Sequence, residues 1–170
     1  VAVATVAAKW NVDAQDEPEP LVVTARWASE EGGSELQGTM KVRACAAPTE
    51  AVTETTRSLL AGYHILSVGL FSGYSAREST VAAEGYDKLV MRTEQVSGTL
   101  EVYLDSLPEG GVCVSFVAQR DHVVDGVRPV ASAVYDYYEP ARRGEEVLEL
   151  EVATTAGGEV TTVAPATTTP

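Results

Sequence analysis

Between Thr99 and Leu104 the chain alternates strictly, with Leu100, Val102 and Leu104 separated by Glu101 and Tyr103. A period of two puts the three aliphatic side chains on one face of an extended strand. Gly38 to Ala46 repeats the pattern, with Met40, Val42 and Ala44 on one face and Lys41, Arg43 and Cys45 on the other. Strands are also predicted at Val1 to Val12, Leu21 to Ala28, Leu89 to Val96, Gly111 to Gln119, Val130 to Tyr138 and Val147 to Val152. Ser58 to Phe71 contains YHILSVGLF, apolar on both faces as a central, doubly covered strand requires. Loops rich in acid, Gly and Pro, such as DAQDEPEP and EEGGSELQG, separate the early strands. One short α-helix is predicted near residues 75–84. Ser75 and Glu78 have the spacing of a capping box, Ala82 and Ala83 are good helix formers, and Gly85 stands where a helix would end. The expected fold is all-β, an antiparallel sandwich of two packed sheets with about eight or nine strands. A jelly roll fits the same spacing, and no internal repeat is visible.

A chain of 170 residues suits one domain with a short appendage. Its 45% hydrophobic content excludes wholesale disorder. No run approaches the roughly 20 apolar residues of a membrane span. The formal net charge is -13, from 25 acids against 12 bases, and such a field repels phosphate. Nothing basic beyond Arg142-Arg143 offers a nucleic acid a foothold, so neither nucleic acid nor anionic lipid is an expected partner. The glycine pairs in the two EGG segments read as hairpin turns and not as phosphate cradles. With Val1 in place of an initiator Met and no signal peptide, the chain is expected to be a piece excised from something longer. The folded domain is expected to span residues 1–152. Residues 153–170, rich in Thr, Ala and Pro, read either as a flexible stalk open to O-glycosylation or as an unstructured tail. No Asn-x-Ser/Thr sequon is present.

No motif supports catalysis. There is no Gly-x-Ser-x-Gly elbow, and the two histidines, His64 and His122, are far apart. His64 lies in the strand apolar on both faces and reads as a packed, hydrogen-bonded core residue; His122 reads as a solvated turn residue. No enzyme is expected, and no cofactor. Asp105, Asp121, Asp125, Asp136 and Glu139 lie near strand ends and offer oxygen ligands for calcium. With no twelve-residue calcium loop and so many acids in the chain, solvated surface is the better reading. The cysteines say more. Cys45 and Cys113 both fall on the more polar faces of their strands, whereas a free structural cysteine usually hides on the apolar face. That placement suits a disulfide across the outside of a sheet and an oxidising, extracellular compartment. Two unrelated thiols are the alternative.

Three segments taken together resemble one family: LLAGYHILSVGLFSGY (59–74), VSGTLEVYLDSLPEGGVCVSF (96–116) and VRPVASAVYDYYEP (127–140). The ordered set looks like the C-terminal receptor-binding domain of the alpha-2-macroglobulin and complement thioester-protein family. The likeness covers roughly residues 1–152. It implies an antiparallel β-sandwich with a short helix after the Ser72-Gly73-Tyr74 element. It implies a secreted, non-catalytic recognition module that docks on a clearance receptor of the low-density-lipoprotein receptor type and packs on upstream domains of one parent protein. Any reactive thioester would lie upstream, because no Gly-Cys-Gly-Glu-Gln occurs in this chain. Receptor-binding relatives carry two lysines four residues apart on that helix, at positions that fall here on Glu78 and Ala82. Such receptors pinch a lysine ammonium between acids, so docking should be lost or redirected. Arg77, Lys88 and Arg92 are the nearby bases that could replace the pair, with ordinary solvated charge as the alternative. The two cysteines resemble the arrangement of the complement-type and insect thioester proteins.

The expected function is recognition within protease inhibition or innate immune opsonisation by the parent. The rival is a structural or adhesive sandwich on a Thr-rich stalk, with no clearance role. A calcium-dependent module ranks last.

Overall fold

The computed structural model describes residues 19–29, 38–50, 52, 60–124 and 128–148. The predicted strand Val1 to Val12 and the segment after Leu148 lie outside the described residues. Nine strands follow in order: β1 (Leu21–Ser29), β2 (Thr39–Pro48), β3 (His64–Gly69), β4 (Tyr74–Ala83), β5 (Val90–Val96), β6 (Thr99–Leu104), β7 (Val112–Arg120), β8 (Val130–Asp136) and β9 (Arg143–Leu148). They form a four-stranded sheet, β1-β2-β7-β4, and a five-stranded sheet, β5-β6-β3-β8-β9. All pairings are antiparallel. No helix among the described residues is long and apolar enough to cross a membrane.

Alternation in the sequence becomes the inner layer. Leu21, Val23, Ala25 and Trp27 of β1 face inward with Val42, Ala44 and Ala46 of β2 and Val112, Val114, Phe116 and Ala118 of β7. From the other sheet come Leu66 and Val68 of β3, Leu100, Val102 and Leu104 of β6 and Val134 of β8. Burying a large aliphatic or aromatic side chain is worth about 1.5–3 kcal/mol, which makes this layer the main source of stability. Trp27 meets Phe71 and Tyr74 edge-on, with ring centroids 4.9 and 5.4 Å apart. β3 occupies the centre of its sheet, as its apolar faces require. The β5–β6 hairpin turns through Ser97 and Gly98, both in the left-handed region at φ 48° and 86°. Two such residues give the turn whose twist matches the flanking strands.

The predicted helix at residues 75–84 is not formed; that stretch is β4. Tyr74 to Arg77 pair with Arg120 to Val117, and Ala82 and Ala83 pair with Ser115 and Val114. The register shifts between Arg77 and Ala82, so Glu78 to Val81 form a broad bulge. Groups that a first helical turn would use are otherwise engaged. The Ala76 N–H donates to Gln95 Oε1 at 2.9 Å, and Glu78 accepts from the Thr93 hydroxyl at 3.0 Å. Thr80 stitches the bulge closed: its hydroxyl oxygen accepts the Val117 N–H at 2.9 Å and donates to the Arg77 carbonyl at 2.6 Å. Adjacent Thr80 and Val81 are both β-branched and favour this extended path.

Two strand boundaries also differ. The last strand starts at Arg143, ahead of the predicted Val147, because Arg143 and Glu145 alternate outward while Gly144 packs against β1. A Cβ on Gly144 would collide with the Leu21 carbonyl oxygen, so only glycine permits this approach. β8 ends at Asp136, two residues before the predicted Tyr138. On each lateral edge of the sandwich a side chain from the facing sheet takes one backbone amide: Glu146 Oε2 accepts the Ala25 N–H at 2.6 Å on the β1/β9 side, and Gln95 Oε1 accepts the Ala76 N–H at 2.9 Å on the β4/β5 side. Occupied edge amides cannot template a further strand.

Candidate docking site

The outer face of the five-stranded sheet carries a groove of about 500 Å³. Its side chains come from four places in the chain. Tyr103 stands on the outward register of β6, directly opposite Arg92 of β5. One extra residue, Met91, is inserted between Val90 and Arg92, and this bulge brings Met91 and Arg92 to the rim together. Tyr63 precedes β3, and Tyr137 and Tyr138 follow β8. Leu104, fully buried, belongs to the lining beneath them.

Surface residues of this kind are seldom so apolar and so open. Tyr138 is 71% exposed, Met91 56%, Tyr137 49% and Tyr63 40%. The rings support one another, with Tyr137 edge-on to Tyr138 at 5.2 Å and Tyr63 tilted against Tyr138 at 6.4 Å. The Arg92 guanidinium lies over the Tyr103 ring, 4.2 Å from its centroid, and bonds Glu94 at 3.1 Å.

Backbone bonds fix the walls. The Tyr137 N–H donates to the Tyr63 carbonyl at 2.9 Å. Asp136 Oδ1 accepts the N–H groups of Tyr138 and Glu139 at 2.7 and 2.9 Å, so a buried carboxylate shapes the turn that presents both tyrosines. His64 sits opposite Asp136 in the β3–β8 register and is buried, as its place in the sequence predicts. Its Nδ1 lies 2.7 Å from the Gly62 carbonyl, which can only accept, so that nitrogen carries the proton. Burial holds the His64 pKa below its ordinary value, with the Gly62 bond and the Asp136 charge acting the other way.

The opposite outer face, on the four-stranded sheet, holds the disulfide. Cys45 and Cys113 are direct partners in the β2–β7 register and are bonded, as their placement suggested. Beside them Glu84 accepts from Arg43 at 2.7 Å and from the Ser115 hydroxyl at 2.6 Å. Those hydrogen bonds, the one from Arg43 first, hold the Glu84 carboxyl well below the carboxylate range, at about 2. This clasp ties β2, the end of β4 and β7, and reads as structural.

The three candidate bases are not brought together. Arg77 lies on the outer face of the four-stranded sheet and bonds Gln119 at 2.7 Å. Lys88 is exposed in the β4–β5 connection, and only Arg92 reaches the groove. Of the acids considered for calcium, Asp125 lies outside the described residues and Asp136 is committed to its turn. Among the described residues, no three of His, Cys, Asp and Glu are grouped to hold a metal ion. The tyrosines were missed as a site. Their signal was the run Tyr135-Asp136-Tyr137-Tyr138 at a strand end, together with Tyr103 on the outward register.

Two solved structures are similar in part. The T6 backbone pilin of serotype M6 Streptococcus pyogenes, with a modular three-domain structure, is 9% identical with a TM-score of 0.46, covering 75% of this chain and 35% of its own. The N-terminal domain of the Streptococcus gordonii adhesin Sgo0707 is 12% identical with a TM-score of 0.41, covering 70% of this chain and 29% of its own. The chain thus spans about a third of the length of either. The family model for the A-macroglobulin receptor binding domain matches residues 60–149, a span that takes in β3 to β9 and with them every wall of the tyrosine groove. The chain belongs to the A-macroglobulin receptor binding domain family.

Proposed function

We propose that this domain is the non-catalytic recognition module of a secreted macroglobulin-like or thioester protein, and that it docks a protein partner on the outer face of its five-stranded sheet. Membership of the receptor-binding family carries the reading. The disulfide supports an extracellular setting. Residues 153–170 then act as a tail or stalk beyond the folded domain. The lysine pair expected of a receptor-binding helix is replaced by Glu78 and Ala82, and the helix itself by a strand. Docking therefore shifts from that element to Arg92 and the tyrosines around it, where large rigid aromatic area beside an arginine is the composition of an interface hot spot. Arg77 and Lys88 remain peripheral.

Binding of the purified domain to an immobilised ectodomain of the low-density-lipoprotein receptor type tests this. The expected result is binding that falls at least ten-fold in Arg92→Ala and stays within two-fold in Arg77→Ala and Lys88→Ala. Binding that is insensitive to Arg92 overturns the site. No binding by the wild-type domain removes the clearance role and favours a structural or adhesive sandwich.

A further inference from the structure

We propose that the tyrosine groove takes a proline-rich peptide in the polyproline II conformation, bearing one acidic residue that meets Arg92. This rests on the reading of the domain as a recognition module and names the chemistry of its partner.

The argument is one of complementary hydrogen bonding and shape. Around the groove stand four tyrosines, Met91, Arg92 and the buried Leu104, with no carboxylate and no carboxamide among them. Its polar groups are phenol hydroxyls, which donate and accept, and a guanidinium, which only donates, so at Arg92 the lining offers a ligand donors and no acceptor. A ligand rich in acceptors matches that guanidinium, and one with little need of donors loses nothing on the aromatic walls. A proline-rich segment fits that description, since each proline lacks an N–H and the polyproline II backbone leaves its carbonyls free of internal bonds. Sugars present many hydroxyls that donate as well as accept, and among the described residues the lining offers them no carboxylate or carboxamide, only phenol oxygens.

Shape and entropy agree. Tyrosine rings in mutual contact, with centroids 5.2 and 6.4 Å apart, form a continuous aromatic ridge on which a pyrrolidine ring can pack. Their backbone is fixed by Asp136 and by the Tyr137–Tyr63 bond, so little order has to be imposed on binding. A polyproline II ligand is likewise ordered in advance, which is why aromatic grooves capture it with few hydrogen bonds. Among the described residues, Arg92 is the one charged side chain of the lining. It remains exposed despite its contact with Glu94, and it selects one carboxylate next to the prolines. A polyacidic ligand is disfavoured, because the whole chain carries -13.

The probe is a fluorescein-labelled ten-residue peptide of proline and alanine with one central glutamate, titrated against the full 170-residue chain by fluorescence polarisation. Controls replace every proline by glycine, or the glutamate by alanine. Binding is expected at a Kd of about 10–100 μM, a value reasonable for a short contact with few anchors. It should weaken at least ten-fold in the glycine peptide and in Tyr138→Ser. Arg92→Ala should weaken the glutamate peptide at least five-fold more than it weakens the alanine peptide, since the side chain also lines the groove. Both altered side chains are exposed, so the variants should melt as wild type does. Equal binding of the glycine peptide, indifference to Tyr138→Ser, or no binding at millimolar peptide overturns the proposal. So does a groove-dependent interaction with an oligosaccharide in place of the peptide. If the peptide fails while receptor binding still requires Arg92, the ligand class is wrong and the recognition reading stands; if both fail, both fall.

Discussion

Thr80→Ala separates the strand from the helix expected at residues 75–84, because the two readings give it opposite signs. In the strand, the Thr80 hydroxyl oxygen is the acceptor for the Val117 N–H at 2.9 Å and a donor to the Arg77 carbonyl at 2.6 Å. It bridges a bulge where the ladder between Arg77 and Ala82 has lost register. Removing it deletes two hydrogen bonds at a partly solvated site, and each is worth about 0.5–1.5 kcal/mol, so a loss of about 1–2 kcal/mol is expected. Were the segment helical, alanine would replace a poorer helix former and add about 0.5 kcal/mol. Urea unfolding followed by tryptophan fluorescence reads the difference, since Trp27 is in the core. With a slope of about 1–3 kcal/mol per molar urea, the midpoint should fall by roughly 0.5–1 M in Thr80→Ala. Thr80→Ser, which keeps the hydroxyl, should lie close to wild type. A midpoint unchanged or raised in Thr80→Ala would refute the bulge as the reason for the strand.

Three further outcomes follow from the geometry. Cys45→Ala/Cys113→Ala opens a loop of 68 residues and should lower stability by about 2–4 kcal/mol, seen as a lower melting temperature that matches reduced wild type; equal melting of the oxidised protein and the double variant would contradict it. His64 has its pKa lowered by burial, so the unfolded chain takes up the proton first as pH falls. Stability should therefore decline from about pH 6.5 down to the folded pKa and level off below it, and His64→Gln should remove that part of the decline in melting scans between about pH 7 and 5. Glu84, held at about 2, contributes stability that is complete above its unfolded pKa and is lost as pH drops through the folded value; Glu84→Gln should flatten the acid limb of the same scans below the ordinary carboxylate value of 4.5, and an unaltered limb would show the clasp to be energetically silent.

Much of this fold was legible because inward faces are written in aliphatic alternation. β6 begins and ends where its period-two run does, and the cysteines declared their pairing by sitting on polar faces of strands that turn out to be neighbours. His64 was readable for the same reason, as a polar residue inside an apolar strand. Local signals misled where a distant strand competed for the same groups. Ser75 and Glu78 have the spacing of a helix start, yet the Ala76 amide and the Glu78 carboxylate are taken by Gln95 and Thr93 of β5, which no short window can foresee. The start of β9 was hidden for another reason. Arg143-Gly144-Glu145-Glu146 looks like a loop until Gly144 and Glu146 are seen to meet the edge of β1. The tyrosine groove was the least visible feature. Its residues are scattered from Tyr63 to Tyr138 and converge only through the order β5-β6-β3-β8, which is a property of the topology and not of any motif.

Amide hydrogen exchange of the domain, alone and bound to the receptor ectodomain, tests the central claim most directly. Docking on the five-stranded sheet predicts slowed exchange in peptides covering 91–104 and 136–142, which carry Arg92, Tyr103 and the Tyr137-Tyr138 turn, with 74–88 unchanged. Protection confined to 74–88 would return the docking site to β4, the segment where the sequence resemblance placed it, and would contradict the account.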